Sequence, residues 1–258
     1  MTRRESCAAR SCAAVLSICL ACLGVFVCAG WSQAPDIASL IQALSDKDPN
    51  VRMRAAWDLR NSKDTRVVDS LLHALSDTDV VVRAVAVDSL GAVKDPRAIE
   101  SIISALKDSD ASVRAVAANA LGEMKDTRAV PPLILALKDE EMVRLLAARA
   151  LDSIGDDRSI EPLISAIRNK DLAIVAGGYR FFIRRGEVGT EPILVEALKT
   201  YGGTKGNDRM YLAYYLSGNT QLEEGAKAFA EAHGGHINEG MKQLAVALGA
   251  PKWGSGRK

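Results

Sequence analysis

The chain has 258 residues, with 33 basic and 32 acidic side chains, so its formal charge at neutral pH is +1. A charge this close to zero gives the chain as a whole no electrostatic preference for nucleic acid or for an anionic membrane surface. We therefore expect no nucleic-acid partner, and local surface chemistry has to decide what the protein binds.

The first 34 residues have the order of an export signal. Three arginines within the first ten residues precede an almost wholly apolar run from 12 to 29, and small residues follow up to Ala34. A charged start, an apolar centre and a small-residue end are typical of secretory leaders. Residues 1–34 are thus predicted to be a signal peptide or N-terminal anchor, and the rest of the chain to be periplasmic or extracellular.

Three fates of this leader fit its residues. Cleavage after Ala34 would make Pro35 the first residue after the scissile bond, and proline is disfavoured at that position. An uncleaved run of this length lies at the lower limit of a membrane span. Cys22 or Cys28 is the site for a lipid, although neither lies in a good lipobox. We expect membrane contact only through an uncleaved or lipidated N-terminus.

All five cysteines also lie within the leader. From residue 35 onwards the chain therefore has no thiol for a disulfide, a nucleophile or a metal site. The absence of thiols suits an oxidising compartment.

A unit of about thirty-one residues recurs from residue 36 onwards. In the second full copy, Asp79 is a natural N-cap and apolar residues follow at spacings of three and four as far as Val93. Asp95 and Pro96 then start a second helix, because proline at the first helical position loses no hydrogen bond. Each unit is predicted to be two helices, here called helix A and helix B, which bury their apolar stripes only by stacking on neighbouring units.

The copies can be followed in chain order. A half unit at 36–46 matches only helix B and is predicted to cap the array. Regular units begin near 47, 78, 109 and 140, a drifted fifth unit begins near 170, and a poorly matching pair lies near 208–232. A last helix is predicted at 237–248. The predicted domains are the leader at 1–34, the array with its cap at 35–200, a divergent repeat and cap helix at 201–250, and a flexible tail at 251–258.

The repeat resembles the HEAT-repeat superfamily, in particular the short HEAT-like repeats of the phycobilisome-lyase type. The resemblance rests on Asp-x-x-Val-Arg-x-x-Ala at the start of helix A, on Ala120-Leu121-Gly122, and on Pro-Leu-Ile at 132–134 and 162–164. It covers about 36–200 and implies an all-α fold, a right-handed α-solenoid of about five to six helix pairs. It also implies that helix B lines the concave face, but says little about activity because this scaffold hosts many functions.

An arginine column recurs near the start of helix A. We interpret it as structural, with each guanidinium joining carboxylates and helix ends of adjacent repeats in a bidentate manner. Its members are Arg52, Arg83, Arg114 and Arg144. A second basic column opens helix B and is interleaved with aspartates; it comprises Arg66, Arg97, Arg128 and Arg158.

The exposed columns of helix B supply the candidate binding residues. They form one mainly acidic column and one mixed column, and a third row near the end of helix B is basic. The candidates are Asp69, His73, Glu100, Ser104, Leu135, Glu161, Ser165 and Glu191. The basic row is Lys107, Lys138, Arg168 and Lys199. Such a face suits an unidentified protein or peptide of mixed charge, and the same pattern also fits a plain solvated surface.

Eight of the twelve aromatic residues lie between Tyr179 and Phe229. Aromatic residues are frequent at binding hot spots, but they also enlarge the core at the end of a repeat array. Sequence leaves both interpretations open.

Catalytic chemistry is hard to find in the sequence. The one compact group of metal-ligand types is His233, His236 and Glu239 in a glycine-rich turn, and the His-Glu iron-binding pairs of deoxyhypusine hydroxylase are absent from the repeats. We therefore assign no catalytic residue, metal ligand or cofactor. The sequence favours an exported, non-enzymatic scaffold for protein binding. The alternative is a HEAT-like lyase, a metal-dependent oxidoreductase or an accessory subunit, which requires a chromophore pocket or metal ligands.

Overall fold

The structure is a computed structural model that describes residues 36–62, 64–186, 189–202 and 210–232. These ranges contain α-helices and short 3-10 turns, and no strand. The helices are α1 (Ile37–Ala43), α2 (Pro49–Asp58), α3 (Thr65–Ala74), α4 (Val80–Val93), α5 (Ile99–Ala105), α6 (Ala111–Met124), α7 (Val130–Ala136), α8 (Glu141–Ile154), α9 (Ile160–Arg168), α10 (Leu172–Gly177), α11 (Tyr179–Arg185), α12 (Glu191–Tyr201), α13 (Met210–Tyr215) and α14 (Thr220–Ala232). The predicted all-α solenoid is confirmed, with α1 as helix B of the half unit and helix pairs from α2 to α14.

Aspartates start the helices as their spacing predicts. The carboxylate of Asp79 accepts hydrogen bonds from the amides of Val81 and Val82 at the start of α4. Asp95 caps a 3-10 turn, Pro96–Ala98, which runs directly into α5. In the second, third and fourth units helix B therefore begins with a 3-10 turn that runs into an α-helix, whereas α3 in the first unit begins directly after Asp64.

The core lies between the stacked helices A. The leucine at the equivalent position of each regular unit is at most 1% exposed; these residues are Leu59, Leu90, Leu121 and Leu151. Each helix A packs against the next one, and each helix B packs against the helix A that follows it in the chain. Helix A is therefore covered on several sides, whereas helix B keeps one side free.

Small residues let adjacent helices A approach closely. A Cβ added at Gly91 would lie 2.6 Å from the Cβ of Ala120, and one added at Gly122 would lie 2.8 Å from the Cα of Ala150. Real side chains essentially never come so close, so only glycine fits at this helix–helix contact. The Ala-Leu-Gly sequence is thus explained by packing.

At the N-terminal end of the array, the half unit leaves α2 covered differently from the later helices A. Val51 is 38% exposed, although the equivalent Val82 is fully buried. An open cleft of about 330 Å³, lined by Leu40, Ala43 and Val51 among others, separates α1 from α2.

At the other end, helix A of the fifth unit is divided at Gly178 into α10 and α11. Five aromatic side chains of this region are buried: Tyr179, Phe182, Tyr214, Tyr215 and Phe229. The rings of Tyr179 and Tyr214 meet edge to face with their centroids 6.2 Å apart. These residues form an enlarged core rather than an exposed aromatic surface, which favours the cap interpretation.

Several predictions fall outside the described residues. These are the leader at 1–34, the helix at 237–248, the tail at 251–258, and the group of His233, His236 and Glu239. Among the residues that are described, no helix is both long enough and apolar enough to cross a membrane.

Truncation of the leucine column tests the repeat register. We expect Leu90→Ala to lower the free energy of unfolding by about 2–5 kcal/mol, because it removes fully buried methyl groups and leaves a cavity. Val81→Ala is the matched control, since Val81 is 55% exposed on the same helix. Urea melts of both variants measure the effect, and an unchanged melt for Leu90→Ala would show that the register is wrong.

Candidate functional site

The arginine column clamps consecutive units together. Nε and Nη2 of Arg83 donate hydrogen bonds of 2.8 and 2.9 Å to the two carboxylate oxygens of Asp108, which follows helix B of the same unit. Nη1 of Arg83 also donates to the backbone carbonyl of Asp77, which ends the preceding helix B. One guanidinium thus joins two successive turns between units, and its side chain is only 13% exposed.

The same geometry recurs with a spacing of about one unit. Arg52 makes a bidentate contact with Asp77, and Arg114 makes one with Asp139. Nε of Arg144 lies 3.1 Å from Oδ2 of Asp171 without a directed hydrogen bond. The clamp is therefore less regular where the fifth unit departs from the repeat.

These clamps lower the pKa of the carboxylates that they contact. The hydrogen bonds from Arg52, Arg83 and Arg114 are the main reason that the pKa values of Asp77, Asp108 and Asp139 lie below the ordinary value of 3.8. Burial opposes this shift but is outweighed.

A second ladder runs along the start of each helix B. Arg97 pairs with Asp95 of its own turn at 2.9 Å, and its Nη1 lies 3.3 Å from Oδ1 of Asp69 in the preceding unit. Arg128 repeats this arrangement with Asp126 and Glu100, again at 2.9 and 3.3 Å. Two acids of the acidic column, Asp69 and Glu100, are thus each paired with an arginine of the second basic column in the following unit.

This ladder lacks its acid at one unit. Arg158 pairs with Asp156 and donates to the carbonyl of Thr127 at 3.0 Å, but the position equivalent to Asp69 and Glu100 is Pro131. Helix α7 therefore contributes no carboxylate to the acidic column.

The candidate binding residues differ in how accessible they are. Six of them are exposed: Asp69, His73, Glu100, Ser104, Leu135 and Glu161. Ser165 is half-buried and its hydroxyl donates to the carbonyl of Pro162. Glu191 is also half-buried, and it accepts hydrogen bonds from the amide of Gly189 and the side chain of Asn219. Glu191 thus connects the fifth unit to the sixth and belongs less clearly to the binding column.

Leu135 is the most unusual residue on this surface. Its side chain is 68% exposed, more than any other large hydrophobic residue among those described. It lies on α7, one helical turn after Pro131, which is also exposed. The helix that interrupts the acidic column therefore presents an apolar patch. We call the exposed columns of α3, α5, α7 and α9, with Leu135 in the middle, the helix B surface.

One polar cluster was not found from the sequence. Asp152 on α8 has a side chain that is only 2% exposed and pairs with Arg180 and Arg184 of α11. Burial is the main influence on its carboxyl and raises its pKa, while the arginines act in the opposite direction. Asp152 occupies the position of Gly91 and Gly122 in earlier units, so the break in the glycine column was the available signal.

The repeats match a known family. The sequence profile described as "HEAT repeats" matches residues 37–106 and 99–178, which together span more than half of the chain. The chain belongs to the HEAT-repeat family. The resemblance that the Asp-x-x-Val-Arg motifs carry is thereby confirmed. No curated protein matches the chain at a significant level.

The chain is similar to several solved structures. The complex of CpcE and CpcF of phycocyanin lyase from Nostoc sp. PCC7120 aligns with a TM-score of 0.57 and 21% identity, over 83% of this chain and 95% of that one. Human deoxyhypusine hydroxylase aligns with a TM-score of 0.34 and 20% identity over 83% of each chain, and a designed armadillo repeat protein with 0.44 and 17% over 76% and 99%. At this identity the first match shows the fold alone, and its fold is similar to that of the present chain.

Within the described part of the chain, no three His, Cys, Asp or Glu side chains are grouped so that they could hold a metal ion.

The clamp predicts how stability depends on pH. Because the folded-state pKa of Asp108 lies below its unfolded value, the ion pair stabilises the fold above about pH 3.8, and this contribution is lost as the pH falls through the folded-state pKa. We expect Arg83→Gln to lower the free energy of unfolding by roughly 1–3 kcal/mol at neutral pH, since it leaves Asp108 without its charged donor. The variant should also lose stability less steeply below pH 4 than the wild type, as measured by urea melts across the acid range.

Arg54→Gln is the control for this experiment. Arg54 is an exposed arginine on α2 with no carboxylate partner among the described residues. Arg54→Gln removes one positive charge, as Arg83→Gln does, but it breaks no contact between an arginine of the column and its carboxylate. Equal losses in both variants would contradict the structural role of the arginine column.

Proposed function

We propose that this HEAT-repeat protein is a non-enzymatic scaffold that binds a protein or peptide partner across the helix B surface. The observation that carries the proposal is Leu135, an exposed leucine in the middle of an otherwise polar face. The fold does not require a leucine at position 135, because the equivalent residues of the other units are His73, Ser104 and Ser165.

The rest of the surface fits this function. Exposed side chains of opposite charge flank Leu135, and Glu161 pairs with Arg168 at 2.8 Å although both are about two-thirds exposed. Ion pairs this exposed contribute little to stability, so a partner can replace them at small cost. An apolar centre inside a polar rim is the usual arrangement of a protein-binding surface.

The CpcE–CpcF structure supports a protein partner in a general way, since it is a complex of two chains with this fold. A lyase, a metal-dependent oxidoreductase or an accessory subunit remains the alternative. Its chromophore or metal would be detected by absorbance and elemental analysis of the purified protein.

Site-specific photo-crosslinking tests the proposed surface. A benzoylphenylalanine is placed at Ser104 or Leu135 on helix B, or at Glu123 on the exposed side of helix A in α6 as the control. In native extract we expect a discrete adduct from the two helix B positions and none from the control. Unlabelled wild-type chain should compete the adduct away, and unlabelled Leu135→Ser should compete at least several-fold less well, because it lacks the apolar contact.

The substitution Leu135→Ser is suited to this purpose because the exposed leucine makes little contribution to the core. Adducts formed only from Glu123, or equally from all three positions, would place the partner elsewhere and reject the helix B surface.

Export also remains a proposal, supported by the order of charged, apolar and small residues in 1–34. We expect the protein to be recovered from the envelope or medium of its native cells. N-terminal sequencing and intact mass then separate the three fates: a start at or near residue 35, a full-length chain, or a start at Cys22 or Cys28 with the mass of a lipid. Recovery in the cytosol with an intact N-terminus would contradict export.

A further inference from the structure

The charges on the helix B surface are not equally available to a partner. The acids Asp69 and Glu100 each lie beside an arginine of the following unit, and Glu161 lies beside Arg168. A basic partner would have to displace these arginines before it met a free carboxylate.

The basic row at the end of helix B is different. Lys107 and Lys138 are exposed, and neither has a carboxylate within 4.0 Å among the described residues. The nearby Asp108 and Asp139 are held by Arg83 and Arg114. Asp110, on the same edge, accepts a hydrogen bond from the amide of Ser112 and caps α6. The lysines are therefore the uncompensated charges of this surface.

A cleft adjoins the first of these lysines. It has a volume of about 330 Å³, lies between α3 and α5, and is lined by Lys107, Ser76, Ser101, Ser104 and Asp108 among others. Both carboxylate oxygens of Asp108 already accept hydrogen bonds from Arg83. The hydroxyl of Ser104 donates to the carbonyl of Glu100. No partner is found for the hydroxyls of Ser76 and Ser101 within the described ranges. An ammonium group and two hydroxyl donors beside one cleft are the groups that receive a carboxylate.

The spacing of the units limits the shape of the ligand. Successive helices A pack side by side, and helices packed in this way lie about 8–10 Å apart. An extended chain advances about 3.3–3.6 Å per residue, so the step from one unit to the next corresponds to about three residues of an extended peptide. Lys107, Lys138 and Arg168 belong to three consecutive units. Leu135 lies on α7, and Lys138 lies three residues further along in the turn that follows this helix, so Leu135 is beside the path that such a peptide would follow.

The geometry points to an acidic, extended peptide segment as the partner of this surface, an inference that rests on the proposed function. One carboxylate of the segment binds in the cleft at Lys107, Ser76 and Ser101. Carboxylates about three and six residues further along meet Lys138 and Arg168, the latter by displacing Glu161. An apolar side chain next to the middle acid covers Leu135.

Fluorescence anisotropy with synthetic peptides tests this inference on the purified protein. The probe has an aspartate at every third position and a leucine next to the middle aspartate, on a background of serine and glycine. Comparison peptides have the same composition with the aspartates in one block, or lysines in place of aspartates. At physiological salt we expect the spaced acidic probe to bind about tenfold more tightly than either comparison peptide, because only it matches all three cations.

Two protein variants show whether the contact is local. Lys138→Glu should weaken binding of the spaced probe by about tenfold, since it replaces attraction by repulsion at the central position. Lys125→Glu makes the same change in charge at an exposed position at the end of helix A, and should leave the affinity unchanged. Circular dichroism melts of both variants check that the fold is retained.

Each remaining outcome has a defined meaning. Equal binding of the spaced and blocked peptides, or equal effects of the two lysine variants, would overturn the inference. A single-stranded oligonucleotide of the same charge that binds as tightly as the spaced probe would show general polyanion binding and would also overturn it. If the adducts at Ser104 and Leu135 form but the peptides are not discriminated, only the partner chemistry is wrong. If those adducts do not form, the proposed function itself fails.

Discussion

The close stacking of successive helices A is the constraint on which the rest of this structure depends. Gly91 against Ala120 and Gly122 against Ala150 bring neighbouring helices together at distances that no larger side chain permits. Because each unit contacts only its neighbours, the distance set at these contacts is repeated along the array. Helix B inherits that spacing, and its exposed side chains therefore recur at regular intervals.

Two arginine ladders act on this frame in different ways. The clamp represented by Arg83 and Asp108 is well shielded from solvent and joins consecutive turns, so its loss would leave a carboxylate without its donor. The ladder represented by Arg97 and Asp69 is about half exposed or more, so each of its ion pairs contributes little to the stability of the fold. Its main effect is on the helix B surface. Asp69 and Glu100 are already paired with arginines, whereas Leu135 and the lysines remain accessible to a partner.

The two ends of the array solve the problem of an unfinished core differently. In the described residues, the C-terminal end packs Tyr179, Tyr214 and Phe229 into an enlarged core. At the N-terminal end, α1 supplies only a helix B, and Val51 stays partly exposed in a column that is otherwise buried. Terminal units of repeat proteins generally differ from internal ones for this reason.

The sequence by itself determined the repeat, the helix pairs, the aspartate caps and the leucine column, because these follow from local spacing and from hydrogen bonds within a few residues. Exposure of Asp69, Glu100 and Leu135 could also be predicted from the two columns of helix B to which they belong. Only the tertiary structure decided that Arg97 reaches Asp69, that Arg83 reaches Asp108, that Glu191 is joined to Asn219, and that Asp152 is buried between two arginines. These pairs lie about one unit apart in the chain, and their formation depends on the rotation and distance between helices, which helical periodicity within one segment does not contain.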